Sequence, residues 1–214
     1  MKPFDPADHP RGDGGRFKAK THTEPQDQLE ADRWASTSKT AADGTVEWLT
    51  ADGLRHRTDG PAVTWLDGTL EWWQYGKCHR TDGPAIIRAN GTEHWYVDSK
   101  RHRTDGPAVV HSDGGQEWYL DGKRHREDGP AITTPDGCES WVSYGHYHRT
   151  DGPARTLPSG TLEWWQNSTL HRTDGPAIIR PDGTLEWWEN HERKPPELEA
   201  ALSMVWRART PPGA

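Results

Sequence analysis

The sequence predicts an all-β fold: an elongated, rod-like array of stacked antiparallel β-hairpins, with a disordered N-terminal arm and a short C-terminal capping helix. Three observations predict it. The heptapeptide His-Arg-Thr-Asp-Gly-Pro-Ala, with Glu for Thr in one copy, begins at His56, His79, His102, His125, His148 and His171, always 23 residues apart. A fixed period of that length marks a repeat architecture. Each unit carries two β-rich runs, such as Ala85 to Ala89 and Thr92 to Val97, around an Asn-Gly or Asp-Gly pair, the strongest short-range hairpin signal. Finally, 31% hydrophobic residues and a mean hydropathy of -1.06 are poor material for a deep core, whereas 13 Trp can line a thin, repetitive one.

Residues 1–40 are rich in Pro, Gly and mixed charge with nothing periodic to pack, so they are read as a disordered arm. The segment His9 to Phe17 resembles a short arm on actinobacterial and phage proteins, which hints at a bacterial or phage origin. Residues 41–193 form six and a half units, the half-unit Asp43 to Arg55 serving as a starting cap. With the His as position 1, a two-residue type I′ turn at positions 12 and 13 pairs position 8 with 17 and position 7 with 18. One face then carries Val63, Ile86, Val109, Ile132 and Ile178 opposite Trp72, Trp95, Trp118, Trp141 and Trp187. The other carries the repeated Ala opposite Trp73, Tyr96, Tyr119, Trp165 and Trp188. Stacked hairpins bury one another's apolar faces, and two strands per unit at about 4.8 Å give a rod roughly 60 Å long. The His-Arg-Thr-Asp-Gly-Pro link returns the chain, its Pro unsuited to a central ladder. In residues 194–214, Leu198, Leu202, Val205 and Trp206 recur at helical spacing after Pro195 and Pro196, which predicts a short helix over the last hairpin. A docking helix for another chain is its alternative.

The run Glu71-Trp72-Trp73-Gln74-Tyr75-Gly76-Lys77-Cys78-His79, and Asp121-Gly122-Lys123-Arg124-His125 still more closely, resembles MORN repeats. The likeness covers Asp43 to Arg193 and departs where all six copies have Arg after the His, followed by Asp-Gly-Pro-Ala. It implies an extended sheet of stacked hairpins with a scaffold or membrane-associated role.

The net charge of -7 argues against a nucleic-acid partner or an anionic lipid surface. Residues 1–20 hold no signal h-region and no apolar run suggests a transmembrane segment, so a cytoplasmic location is expected. Cys78 and Cys138 lie too far apart along the array to pair and are expected to be free thiols. The His-Arg-x-Asp cluster offers an acid, a base and a cation, but catalysis needs one asymmetric constellation and this group recurs six times. No catalytic residue, metal site or cofactor is therefore expected, and the chain is read as a non-enzymatic protein. The Asp of each link is assigned to its own turn's backbone, the Arg to a Glu across the sheet, and Arg155 to a cation-π pair with Trp164. The candidate binding surface is the strip Trp73, Tyr96, Tyr119, Trp165 and Trp188, flanked by Glu71, Glu117, Glu163 and Glu186. Such a strip suits a protein partner; the alternative is a small cationic or glycan ligand. Protonating the six link histidines would move the formal charge from -7 to -1, predicting altered self-association as pH falls through about 6.5.

Overall fold

The computed structural model describes residues 33–209, so the arm expected over residues 1–40 lies outside the described residues as far as residue 32. The array lies wholly within the unit Ser36–Ala214. Six two-stranded sheets accompany its main sheet, which is antiparallel with 14 strands. The first two, Ser36–Thr40 and Val46–Thr50, form one hairpin. Each of the six units then adds two short strands at positions 8–9 and 15–16, for example Val63–Thr64 and Leu70–Glu71. The starting half-unit thus contributes a full hairpin, and its first strand, Ser36–Thr40, corrects the arm expected over residues 1–40, because those residues pair with Val46–Thr50.

The register differs from the expected one by a single residue. Val63 lies opposite Glu71, not Trp72, and Thr64 opposite Leu70. The turn is a three-residue one: Trp65 N-H donates to the Thr69 carbonyl and Gly68 N-H to the Trp65 carbonyl. Gly68 has φ +89°, whereas Asp67 is not among the positive-φ residues, so the type I′ geometry, which needs φ > 0 at both, is absent. Asp67 instead accepts the Thr69 N-H at 2.8 Å, a role its side chain can play only from the preceding position. Asp-Gly serves both turn types, and the extra loop residue moves every position-17 Trp off the face assigned to it.

The type I′ turns lie elsewhere in the unit. Trp73 pairs with Cys78 and Gln74 with Lys77 across Tyr75-Gly76, both with positive φ (53° and 73°). The same two-residue turn recurs at Asp98-Ser99, Asp121-Gly122, Tyr144-Gly145, Asn167-Ser168 and Asn190-His191. These small hairpins leave the main sheet at the position-17 Trp and stack on one another, since the second turn residue donates to the position-23 carbonyl of the unit before, as Gly122 does to Arg101.

The pairing lays position 8 and position 16 in one lateral row: Val63, Glu71, Ile86, His94, Val109, Glu117, Ile132, Ser140, Arg155, Glu163, Ile178 and Glu186. Apolar and polar side chains alternate along it except at Arg155, which is why the core is thin. The repeated Ala residues, from Ala62 to Ala177, are fully buried, and the largest buried cluster described is Ala108, Val109 and Tyr119 with Trp95 against it.

The helix Pro196–Arg209 covers the end of the array with only part of the stripe expected for it, chiefly Trp206. Leu198 and Val205 stay exposed, while Glu199, Ser203 and Trp206 make the contacts. Elsewhere the position-17 N-H donates to the Ala carbonyl of the next unit, as Trp164 does to Ala177. Trp187 has no next unit, and its N-H goes to Glu199 Oε1 at 3.1 Å. An orphaned strand donor needs an acceptor more than the helix needs its leucines buried. No helix among the described residues is long and apolar enough to cross a membrane.

Candidate functional site

Two repeated surfaces result, one on each side of the sheet. On the first, the strip residues come together pairwise because positions 16 and 18 share a face. Trp73 Nε1 donates to Glu71 at 2.8 Å, the Tyr119 hydroxyl to Glu117 at 2.8 Å, Trp165 Nε1 to Glu163 at 3.0 Å and Trp188 Nε1 to Glu186 at 3.0 Å. Tyr96 has His94 in place of a Glu, with ring centroids 6.4 Å apart. Tyr119 and Glu186 are buried and the other seven strip residues are half-buried. In unit four, Ser140 and Val142 occupy these positions, both buried, and interrupt the strip.

Cations complete this surface, and of these sequence reasoning singled out Arg155 alone. Arg55 bonds Glu47 and lies 3.5 Å from Glu71, its guanidinium over the rings of Trp65 and Trp73. Arg101 sits over Tyr96 and Tyr119, and Arg124 bonds Glu117 at 2.9 Å. Arg155 bonds Glu163 and stands over Tyr147, not Trp164, as the shifted register requires. The recurrence of Arg at position 23 in Arg55, Arg101, Arg124 and Arg193 was the available signal. Burial by itself would raise the Glu117 carboxyl, but hydrogen bonds from His111, Tyr119 and Arg124 outweigh it and hold the group at about 2. His94 is pushed down to about 4 by burial, with Arg101 and Arg88 adding to it.

The second surface is built from the links. Each link Arg lies over the position-17 Trp of the unit before, its guanidinium carbon 3.9 to 4.2 Å from the ring centroid in all six copies. Arg103, over Trp95, also donates Nε to Asp105 at 2.8 Å and Nη1 to the Pro107 carbonyl at 3.3 Å. The Arg partner is thus the Asp two residues on, not a Glu across the sheet, and the Asp serves the Arg before its own turn. That hydrogen bond and charge hold the carboxyl of Asp105 below its ordinary value. Gly106 completes the motif for a steric reason, because a Cβ there would sit 2.9 Å from the Arg103 guanidinium carbon. The link His closes the set: His102 Nδ1 lies 3.3 Å from the Asp121 N-H, which ties the link to the type I′ turn.

Between consecutive links run five open grooves, of about 390 to about 720 Å³. The groove after the third link is typical, lined by Arg103, Asp105 and Gly106 on one side, Arg126 and Asp128 on the other, and Trp118 between them. The guanidinium lies over a ring, but the Asp carboxylates stand at the surface, 76 to 86% exposed.

Neither a family model nor a curated protein matches the chain. One solved structure that is similar comes from a structural analysis of the microcephaly protein CPAP G-box domain that suggests a role in centriole elongation. It is 19% identical, with 76% of this chain and 99% of that chain covered, at a TM-score of 0.19. A likeness at that score carries no argument. The repeat β-sheet fold itself fits a binding or scaffold role, since it presents the same side chains at regular intervals.

Proposed function

We propose that the chain is a non-enzymatic binding protein, a MORN-like variant that presents its link face to a protein partner. The observation that supports this reading is the row of five like grooves. With two strands per unit, they recur about 10 Å apart, so an extended partner can engage several at once and gain affinity from repetition. The alternative surface, the Trp/Tyr and Glu strip, has its indole and phenol donors engaged by its own carboxylates. A sugar or quaternary amine would compete with those internal partners, which places the small-ligand reading second. No single unit carries an asymmetric set of acid, base and nucleophile that the others lack, which supports a binding role over a catalytic one.

The test is site-specific photocrosslinking in the native host. A crosslinker at Thr104, on a groove rim, is expected to capture a defined protein, while one at Leu66, on a distant turn, captures none. Capture from Leu66 but not from Thr104 would overturn the assignment of the link face.

A further inference from the structure

The array has five open grooves between consecutive links and, beyond the last link, where no further link follows, a sixth half-groove that the chain itself fills. After the last link, the ring of Trp206 lies against Gly175, where an added Cβ would approach it to 2.7 Å. It sits 5.0 Å from the Arg172 guanidinium and edge-on to Trp187 at 6.3 Å between centroids. Arg172, Gly175 and Trp187 correspond to Arg103, Gly106 and Trp118 of an open groove, except that Arg126 of the next link covers Trp118 while Trp206 meets Trp187 where no link follows. The effect of occupancy is measurable within the molecule. The Arg172 side chain is 14% exposed, against 22 to 26% for the other five link arginines. Pro176 is fully buried, whereas its five counterparts are half-buried.

We infer that each open groove is a docking site for an aromatic side chain on a basic segment of a partner protein, with Trp206 showing how such a ring is seated. The inference rests on the link face being the binding surface and names what that surface takes. The ring is selected because each groove offers an Arg plane, a backbone with no Cβ and the edge of an indole, which suit a flat π-system over an aliphatic chain. The basic character follows from the net charge of -7 and from the outer edges of Asp59, Asp82, Asp105, Asp128, Asp151 and Asp174, which stay exposed although each carboxylate is bonded to its own link Arg. The groove spacing of about 10 Å equals the rise of seven helical residues, so a helix with aromatics seven apart spans two grooves.

The experiment uses the full chain with ¹⁵N-labelled Trp and a synthetic Lys-rich helical peptide with two Trp seven residues apart. The indole signals of Trp72, Trp95, Trp118, Trp141 and Trp164 report the grooves, while Trp73, Trp165 and Trp188 report the opposite face. The peptide is expected to shift the first group and leave the second unchanged, and replacing its Trp by Ala is expected to weaken binding at least tenfold. Trp187 should respond only in Trp206→Ala, where the sixth groove is vacated. Should that variant fail to fold, Gly106→Ala, which pushes Arg103 out of place, should weaken the response at Trp118 at least tenfold and spare Trp164. Silence at the groove indoles, equal binding of the Ala peptide, or shifts confined to the strip would each overturn the inference. If the native partner still crosslinks at Thr104 while the groove indoles stay silent to the peptide, the link-face reading stands and the aromatic occupant falls.

Discussion

The guanidinium of Arg103 rests 4.1 Å above the ring of Trp95, across a unit boundary and with its Nε bonded to Asp105. Five further pairs repeat the arrangement, so the most conspicuous part of the repeat, Arg-x-Asp-Gly-Pro, is the clasp that holds one unit to the one before it.

Breaking one clasp should uncouple neighbours. Arg103→Ala loses the stack, the Asp105 pair and the Pro107 carbonyl bond, at an expected cost of about 2 kcal/mol in urea unfolding. Arg103→Lys should recover less than half, because an ammonium cannot cover the ring while bonding both partners. A Lys variant as stable as the parent would show that charge alone suffices.

Gly106→Ala should cost about 1 to 2 kcal/mol by displacing the guanidinium rather than by backbone strain. In the Arg103→Ala background, the same change should cost much less, since the clash partner is gone. Additive costs in the double-mutant cycle would place the effect in the backbone.

At the end of the array, Trp206→Ala removes a half-buried ring and should lower stability by about 2 kcal/mol. Hydrogen exchange at the Trp187 amide should accelerate in Glu199→Ala, which deletes its acceptor. Exchange no faster than in the parent would mean that the helix does not close the sheet.

Acid should destabilise the array in two stages. His94 has a folded value near 4 against an ordinary 6.5, so the unfolded chain takes up its proton first and stability falls as pH drops from 6.5 to 4. Glu117 has its value depressed to about 2 from 4.5, so its contribution is present above 4.5 and lost as pH falls from 4.5 to 2. His94→Gln should shrink the upper stage, to which His56 also contributes, and Glu117→Gln the lower, which it shares with the link Asp carboxylates, as read by urea midpoints against pH.

The two free thiols should differ. Cys78 is 4% exposed, and burial, with Glu71 beside it, pushes its thiol up to about 12. Cys138 is half-buried at a turn. At pH 8 a disulfide reagent is expected to titrate Cys138 in the native protein and Cys78 only on unfolding. Equal rates would contradict the burial of Cys78.

Period, hairpin content and the terminal helix were legible in the sequence because each depends on local chemistry. The Asp-Gly pair must turn, Pro196 can start a helix, and six heptapeptides that differ only at Glu127 must fold alike. The position of Asn167-Ser168 or Asp98-Ser99 as a type I′ turn was not legible, because neither carries the Gly that signals one. The strip was legible as a set, since positions 16 and 18 share a face under either register, but its internal hydrogen bonds and the arginines over it were not.

By itself the sequence determined a six-fold β-hairpin array with a helix at its end, because periodicity and turn residues act over a few neighbours. Only the tertiary structure decided which face each Trp occupies. One extra residue in the Asp67-Gly68 turn slips the pairing by one, and a strand's side chains alternate with a period of two. It also decided that Arg103 belongs to Trp95 and that Trp206 fills the last groove, since both contacts join parts of the chain that only the stacking of units brings together.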